Sequence, residues 1–194
     1  MAHCSKDGRI VACEPQESIC KRLALNVELN HQKNIVIERV AVLDRPGEVA
    51  LHSPVEGSSN TGMASVLPLG DWTAVNVAAT TIDSLVEENR LNRLRLIKID
   101  VEGLEGAVLL GAARTLTAQH PVILFEYQAD YWGRAGTSWT DVATYLTSHG
   151  YSDFFEVHDR KLVPMRAPQH DTFNILALSA STDALSGQSL IELD

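Results

Sequence analysis

Three short apolar runs in this chain each close on a carboxylate, and that repetition constrains the fold more than any other feature. Ile10–Cys13 is followed by Glu14, residues 94–99 by Asp100, and residues 122–125 by Glu126. After two of them the pattern shifts to helical spacing. Ile19, Leu23 and Val27 recur at i+4 beyond Glu14-Pro15, and Leu104, Val108, Ala112 and Leu116 do so beyond Asp100. Strands alternating with helices argue for βαβ units around a parallel sheet. In an open parallel sheet the carboxyl ends of the strands form the rim where ligands bind, so Glu14, Asp100 and Glu126 are expected to line one cleft. A carboxylate there accepts two hydrogen bonds from a vicinal diol, or pairs with a cation. An exposed surface acid is the plain alternative for each of them taken singly.

Lys98 lies inside a run that otherwise reads as buried, on the same strand face as Asp100 by two-residue alternation. A partly buried lysine needs a counter-charge, which Asp100 or Glu126 supplies. A structural ion pair and a catalytic group are both open readings for it. The turn after Asp100 runs Val101-Glu102-Gly103-Leu104-Glu105-Gly106. Glu102 and Glu105 suit a helix N-terminus, and Gly103 either admits a ligand to the backbone or serves tight packing. Two glutamates argue against a phosphate cradle, and no GxGxxG or GxxxxGK[ST] occurs. The seven histidines show no HExxH spacing, no GxSxG is present, and each histidine reads as an ordinary surface or core residue.

With 194 residues, the chain suits a single domain, here placed over residues 1–178, with a polar tail at 179–194. Residues 35–37 and 40–43 read together as the second strand. From about 44 to 80, Pro, Gly, Ser and Asn are frequent, which reads as an inserted hairpin with a long lid-like loop. Ser138 with Asp141 resembles a capping box for a helix ending at Gly150. Residues 151–157 and 172–178 read as a final antiparallel hairpin. The net charge of −9 argues against a nucleic-acid partner held by phosphate neutralisation. No apolar run reaches the roughly 20 residues of a membrane span, and the N-terminal residues do not resemble a signal peptide. Three cysteines without CxxC spacing read as reduced thiols of a cytoplasmic protein.

Several segments, taken in order, resemble the FkbM-type S-adenosylmethionine (SAM)-dependent methyltransferases. Residues 8–15, ending Cys13-Glu14-Pro15, are similar to the family's second strand with its Glu-Pro end. Leu29-Asn30 resembles the end of the helix that follows, and Ala41-Val-Leu-Asp44-Arg-Pro-Gly47 the third strand and turn. Asn60-Thr-Gly62-Met-Ala-Ser65 resembles the Asn-x-Gly-x-x-Ser loop, and Thr81-Ile-Asp83 the Thr-Leu-Asp segment. The most specific likeness is Lys98-Ile-Asp100-Val-Glu102-Gly103-Leu-Glu105, followed by Leu110-Gly111-Ala112 and by Pro121-Val-Ile-Leu-Phe-Glu126.

This resemblance implies an α/β, Rossmann-like class I methyltransferase sheet, mostly parallel with a reversed last strand, and SAM as methyl donor. It implies a hydroxyl acceptor on a sugar or secondary metabolite. Glu14 would take the ribose hydroxyls, Asp100 and Glu102 would stand near the cofactor, and Asp100, Glu126 and Lys98 are the candidates for deprotonating the acceptor. Family members carry an Asp-x-Gly-Ala-Asn-x-Gly type loop before the Glu-Pro strand. Only 13 residues precede Glu14 here and none matches it, so the sheet is expected to lack its first strand and SAM binding to be weak. Asp100 and Glu126 also occupy positions where metal-dependent O-methyltransferases hold Mg²⁺; the motifs favour the FkbM type, and no metal site is assigned. Two rival readings are a non-catalytic methyltransferase-like scaffold and a nicotinamide-dependent oxidoreductase fragment. The acid-rich rim favours SAM over a pyrophosphate-bearing dinucleotide.

Overall fold

In the computed structural model residues 8–54, 64–67, 72–158 and 161–181 are described. The chain divides into two units, Met1–Thr81 and Ile82–Asp194. Among the described residues no helix is long and apolar enough to cross a membrane.

In the first unit β1 (Ile10–Cys13) runs parallel to β2 (Ile35–Glu38), with Ile10 level with Ile35 and Cys13 with Glu38. The crossover is α1 (Glu17–Leu29), which starts directly after the Pro15-Gln16 pair. Its Ile19, Leu23 and Val27 face is half-buried, while Leu25 and Leu29 stay exposed. The stretch read as one second strand divides. Glu38 ends β2, and β3 (Ala41–Val42) pairs parallel with β5 (Thr73–Thr80) in another sheet. The charged pair Glu38-Arg39 interrupts the apolar run there, and Arg39 turns to Glu17 at 3.2 Å. β4 (Gly47–Ser53) lies antiparallel to β5 along its whole length. Ser65 reaches back to His52 through a pair of backbone hydrogen bonds, 2.8 and 2.9 Å. Asn60, Gly62 and Met63 of the loop resemblance lie outside the described residues, as do Met1–Asp7 and the tail from 182.

The second unit opens with α2 (Ile82–Glu88) and β6 (Leu96–Ile99), followed by α3 (Glu105–Leu110) and α4 (Ala113–Gln119). Next come β7 (Val122–Gln128), α5 (Ala129–Arg134) and α6 (Trp139–Ser148). Three strands finish it: β8 (Tyr151–His158), β9 (Lys161–Pro164) and β10 (Thr172–Ser179). They form one sheet in the order β6-β7-β10-β8-β9, with β6 and β7 parallel and β10 antiparallel to both its neighbours. β8 and β10 therefore do not form a simple hairpin. The hairpin partner of β8 is β9, a short strand the sequence reading did not separate, and β10 returns to the inside of β8.

One face of this sheet is closed: Ile97, Ile99, Ile123, Phe125, Ile175 and Ala177 are all buried. The apolar stripe after Asp100 is broken at Gly111 into α3 and α4, yet it stays continuous, with Val108, Ala112 and Leu116 all buried. Ser138 caps α6 by accepting the N–H of Asp141, and the chain leaves that helix through Gly150 at φ +90°. The α/β architecture is as expected. The three acid-bearing strands do not share one sheet, however. β6 and β7 are hydrogen-bonded neighbours, whereas β1 belongs to a separate two-stranded sheet, and among the described strands its sole ladder is with β2.

Candidate active site

The local rules that build β6 also place its charges. Ile97 and Ile99 turn to the buried face, so Lys98 and Asp100 share the other, and the Lys98 ammonium donates to Asp100 Oδ2 at 2.9 Å. Asp100 is thus the counter-charge of Lys98. The parallel register pairs Ile99 with Phe125, which brings Glu126 of β7 level with Asp100 on the same face. Glu126 lies inside the strand, which the sequence pattern carries over residues 121–127 and the structure ends one residue later, at Gln128. β7 continues through Tyr127 and Gln128 because β10 supplies a partner along the far side, with Asn174 opposite Glu126 and Thr172 opposite Gln128.

Beyond Asp100 the chain makes a tight turn, with Glu102 at φ +56° and Gly103 at φ +103°. A methyl group at Gly103 would lie 2.8 Å from Tyr131 Cβ and 3.0 Å from that residue's carbonyl carbon and oxygen. One at Gly106 would meet Thr137 Cγ2 at 2.9 Å. Both glycines therefore serve close approach of this chain to itself, the packing alternative of the sequence reading.

Glu105 holds the turn. Its Oε1 accepts the backbone N–H of Val101 at 3.0 Å and of Gly103 at 3.4 Å, and its Oε2 accepts the indole N–H of Trp132 at 2.9 Å. The side chain is 1% exposed, so it positions the loop rather than meeting a ligand. Sequence reasoning saw only a first-turn acid there. The available signal was the aromatic-rich segment after β7, which supplies the indole donor.

Three carboxylates, Asp100, Glu102 and Glu105, thus lie close enough to Glu126 to act on it, as does the Lys98 ammonium. Burial raises the Glu126 carboxyl, and the charges of Asp100, Glu102 and Glu105 push it further up against the pull of Lys98. Glu102 is raised by burial, then by Asp100 and Glu105. Burial raises Glu105 too, opposed by its N–H donors. A rim with this excess of negative charge favours a cationic ligand.

Glu14 follows β1 in the first unit. Its Oε1 accepts the Gln16 N–H at 2.7 Å, and its own N–H donates to the Glu38 carbonyl at 3.0 Å. Burial raises its carboxyl, against the Gln16 hydrogen bond. Nearby, burial and the adjacent Glu38 push the Cys13 thiol up to about 12, which keeps it protonated. Cys13 and Cys20 are both free thiols.

The Thr81-x-Asp83 motif is structural. Asp83 accepts the backbone N–H groups of Arg114 and Thr115 at 3.0 and 2.9 Å, and the Thr115 hydroxyl at 2.7 Å. These N–H groups belong to the first turn of α4, which has no side-chain cap of its own.

Residues 1–152 match the Methyltransferase FkbM domain, and the chain belongs to that family. The crystal structure of methyltransferase FkbM from Methylobacillus flagellatus KT is similar in fold, with a TM-score of 0.52 at 16% identity. The match covers 87% of this chain and 36% of that one, so this chain spans about a third of the length of the solved protein. No curated protein matches the chain. Together these findings define an α/β fold with mixed sheets of FkbM methyltransferase type.

Proposed function

We propose that the chain is a SAM-dependent methyltransferase acting on a hydroxyl of a small molecule, a sugar or secondary metabolite, and that residues 1–178 work as one Rossmann-like methyltransferase domain. The observation that carries this reading is the carboxylate-crowded rim at Asp100, Glu102 and Glu126, whose raised Glu102 and Glu126 carboxyls suit a cationic ligand. SAM supplies a methyl group made electrophilic by a sulfonium cation. The chain's task is to position the acceptor for in-line displacement and to remove its proton. Glu126 is the better proton acceptor, because an elevated carboxyl is closer to the working pH, while Lys98 engages Asp100. Asp100 and Glu102 are assigned to the cationic end of the cofactor, and Glu14 to its ribose hydroxyls.

The test is calorimetric titration of the chain with SAM and, as control, with NAD, followed by labelled-methyl transfer to hydroxylated acceptors. Assayed in a chain that also carries the family's upstream glycine-rich loop, Glu14→Ala should raise the KM for SAM roughly ten- to a hundred-fold with kcat unchanged, since a ribose contact is equal in ground and transition states. Asp100→Asn should lower kcat as well. Circular dichroism must first show both variants folded. A chain that binds no SAM would instead support the non-catalytic scaffold reading.

A further inference from the structure

On the face of the second-unit sheet opposite Glu126, β8 and the segment before β10 bring together Glu156, His158 and His170. The His158 Nε2 lies 2.7 Å and the His170 Nδ1 3.0 Å from Glu156 Oε2, and all three ligand atoms fall within 4.8 Å of one another. We propose that these three side chains form a binding site for a divalent first-row transition metal ion such as Zn²⁺, a site independent of the methyl-transfer reading.

The placement follows from the strand pattern. Glu156 and His158 are two residues apart on β8 and share a face. Glu156 stands opposite Ile175 of β10 and Val163 of β9, an apolar setting for a carboxylate. It is 3% exposed, so it needs compensation. Its other oxygen is oriented by the Gln169 backbone N–H at 3.1 Å, the kind of outer hydrogen bond that fixes a metal-binding carboxylate. The two imidazoles lie 5.2 Å apart, centroid to centroid, and both lean on Phe173.

The two spacings to Glu156 Oε2, 2.7 and 3.0 Å, are a few tenths of an ångström short of those in a metal shell, so an ion needs only a small outward shift of the imidazoles. Ligands at about 2.0–2.1 Å from a tetrahedral zinc stand roughly 3.3 Å from one another. The buried carboxylate forms the floor and the imidazoles, 41% and 60% exposed, form the mouth, so an ion has an entry path. Two imidazole nitrogens select a transition metal over Mg²⁺ or Ca²⁺. Three protein ligands leave a position open, and all three line a pocket together with Lys161, Met165 and Arg166.

This site is distinct from the acid rim. Asn174 pairs with both Glu126 and Val157, so Glu126 belongs to the row next to Glu156, on the opposite face and two strands away, or about 10 Å.

The test is isothermal titration of the tag-free, chelator-treated full chain with ZnCl₂, and separately with MgCl₂. One Zn²⁺ per chain is expected, and no Mg²⁺ uptake. Visible d–d absorption from Co²⁺, displaced by Zn²⁺, is expected as the signature of an inner-sphere site. His158→Ala and His170→Ala should each weaken Zn²⁺ binding by about tenfold or more. His170 lies outside the strands, so its variant remains informative should His158→Ala fail to fold. No uptake of Zn²⁺ by the wild-type chain, uptake untouched in His170→Ala, or equal binding of Mg²⁺ would each overturn the proposal.

Discussion

Lys98 sits among carboxylates that would otherwise repel one another, and its charge is felt beyond its partner. It lowers Glu126 while Asp100, Glu102 and Glu105 raise it. Removing the ammonium in Lys98→Met therefore leaves only the raising influences. The Glu126 titration should move to higher pH, measured by carbon-13 NMR of the carboxyl, and any acid limb of activity controlled by Glu126 should move with it. A Glu126 titration that stays in place would show that Lys98 serves Asp100 alone. Much at this scale was legible beforehand, because period-two alternation is enough to put Lys98 and Asp100 on one face. The fold-back of Glu105 onto Trp132 was not, since it joins residues 27 apart in the chain. The meeting of His158 with His170 was hidden for the same reason.

At the scale of elements, the Asp83 carboxylate ties α2 to the open end of α4. Burial would raise it, but hydrogen bonds from Thr115 and Arg114 outweigh burial and hold it below the usual aspartate value. A group depressed in the folded state stabilises above its unfolded pKa, and that contribution is lost as pH falls through the folded value. Asp83→Asn should therefore cost about 1–3 kcal/mol at neutral pH. The gap to wild type should narrow below about pH 4, measured by urea denaturation across pH. A gap that persists at low pH would mean that packing, not charge, makes the latch. The exposed Arg114 side chain contributes little to it. Strands and helices themselves were readable from periodicity. Their pairing was less so: the split at Glu38-Arg39 and the insertion of β10 between β7 and β8 depend on which partner each strand meets, and no local pattern encodes that.

For the molecule as a whole, the proposal that residues 1–178 act as one methyltransferase-like domain has a thermodynamic consequence. Differential scanning calorimetry should show a single two-state transition, with calorimetric and van't Hoff enthalpies equal. Two resolved transitions would count against it. The family was legible because its motifs are local and ordered along the chain. What the sequence could not convey was the division of the acid-bearing strands between two sheets, because hydrogen-bonded neighbourhood is set by the assembled chain.

The order of strands in the second unit bears on how the protein is made. β10 is the last strand of that unit in sequence, yet it occupies the centre of the sheet, between β7 and β8. During synthesis β6 can pair with β7, and β8 with β9, while the strand that unites them is still inside the ribosome. Until Thr172–Ser179 emerges, both pairs present open hydrogen-bonding edges and apolar faces to other nascent chains. Closure of this sheet therefore waits on its last strand, and a chain cut short of Thr172 would leave both pairs with open edges rather than a smaller folded unit.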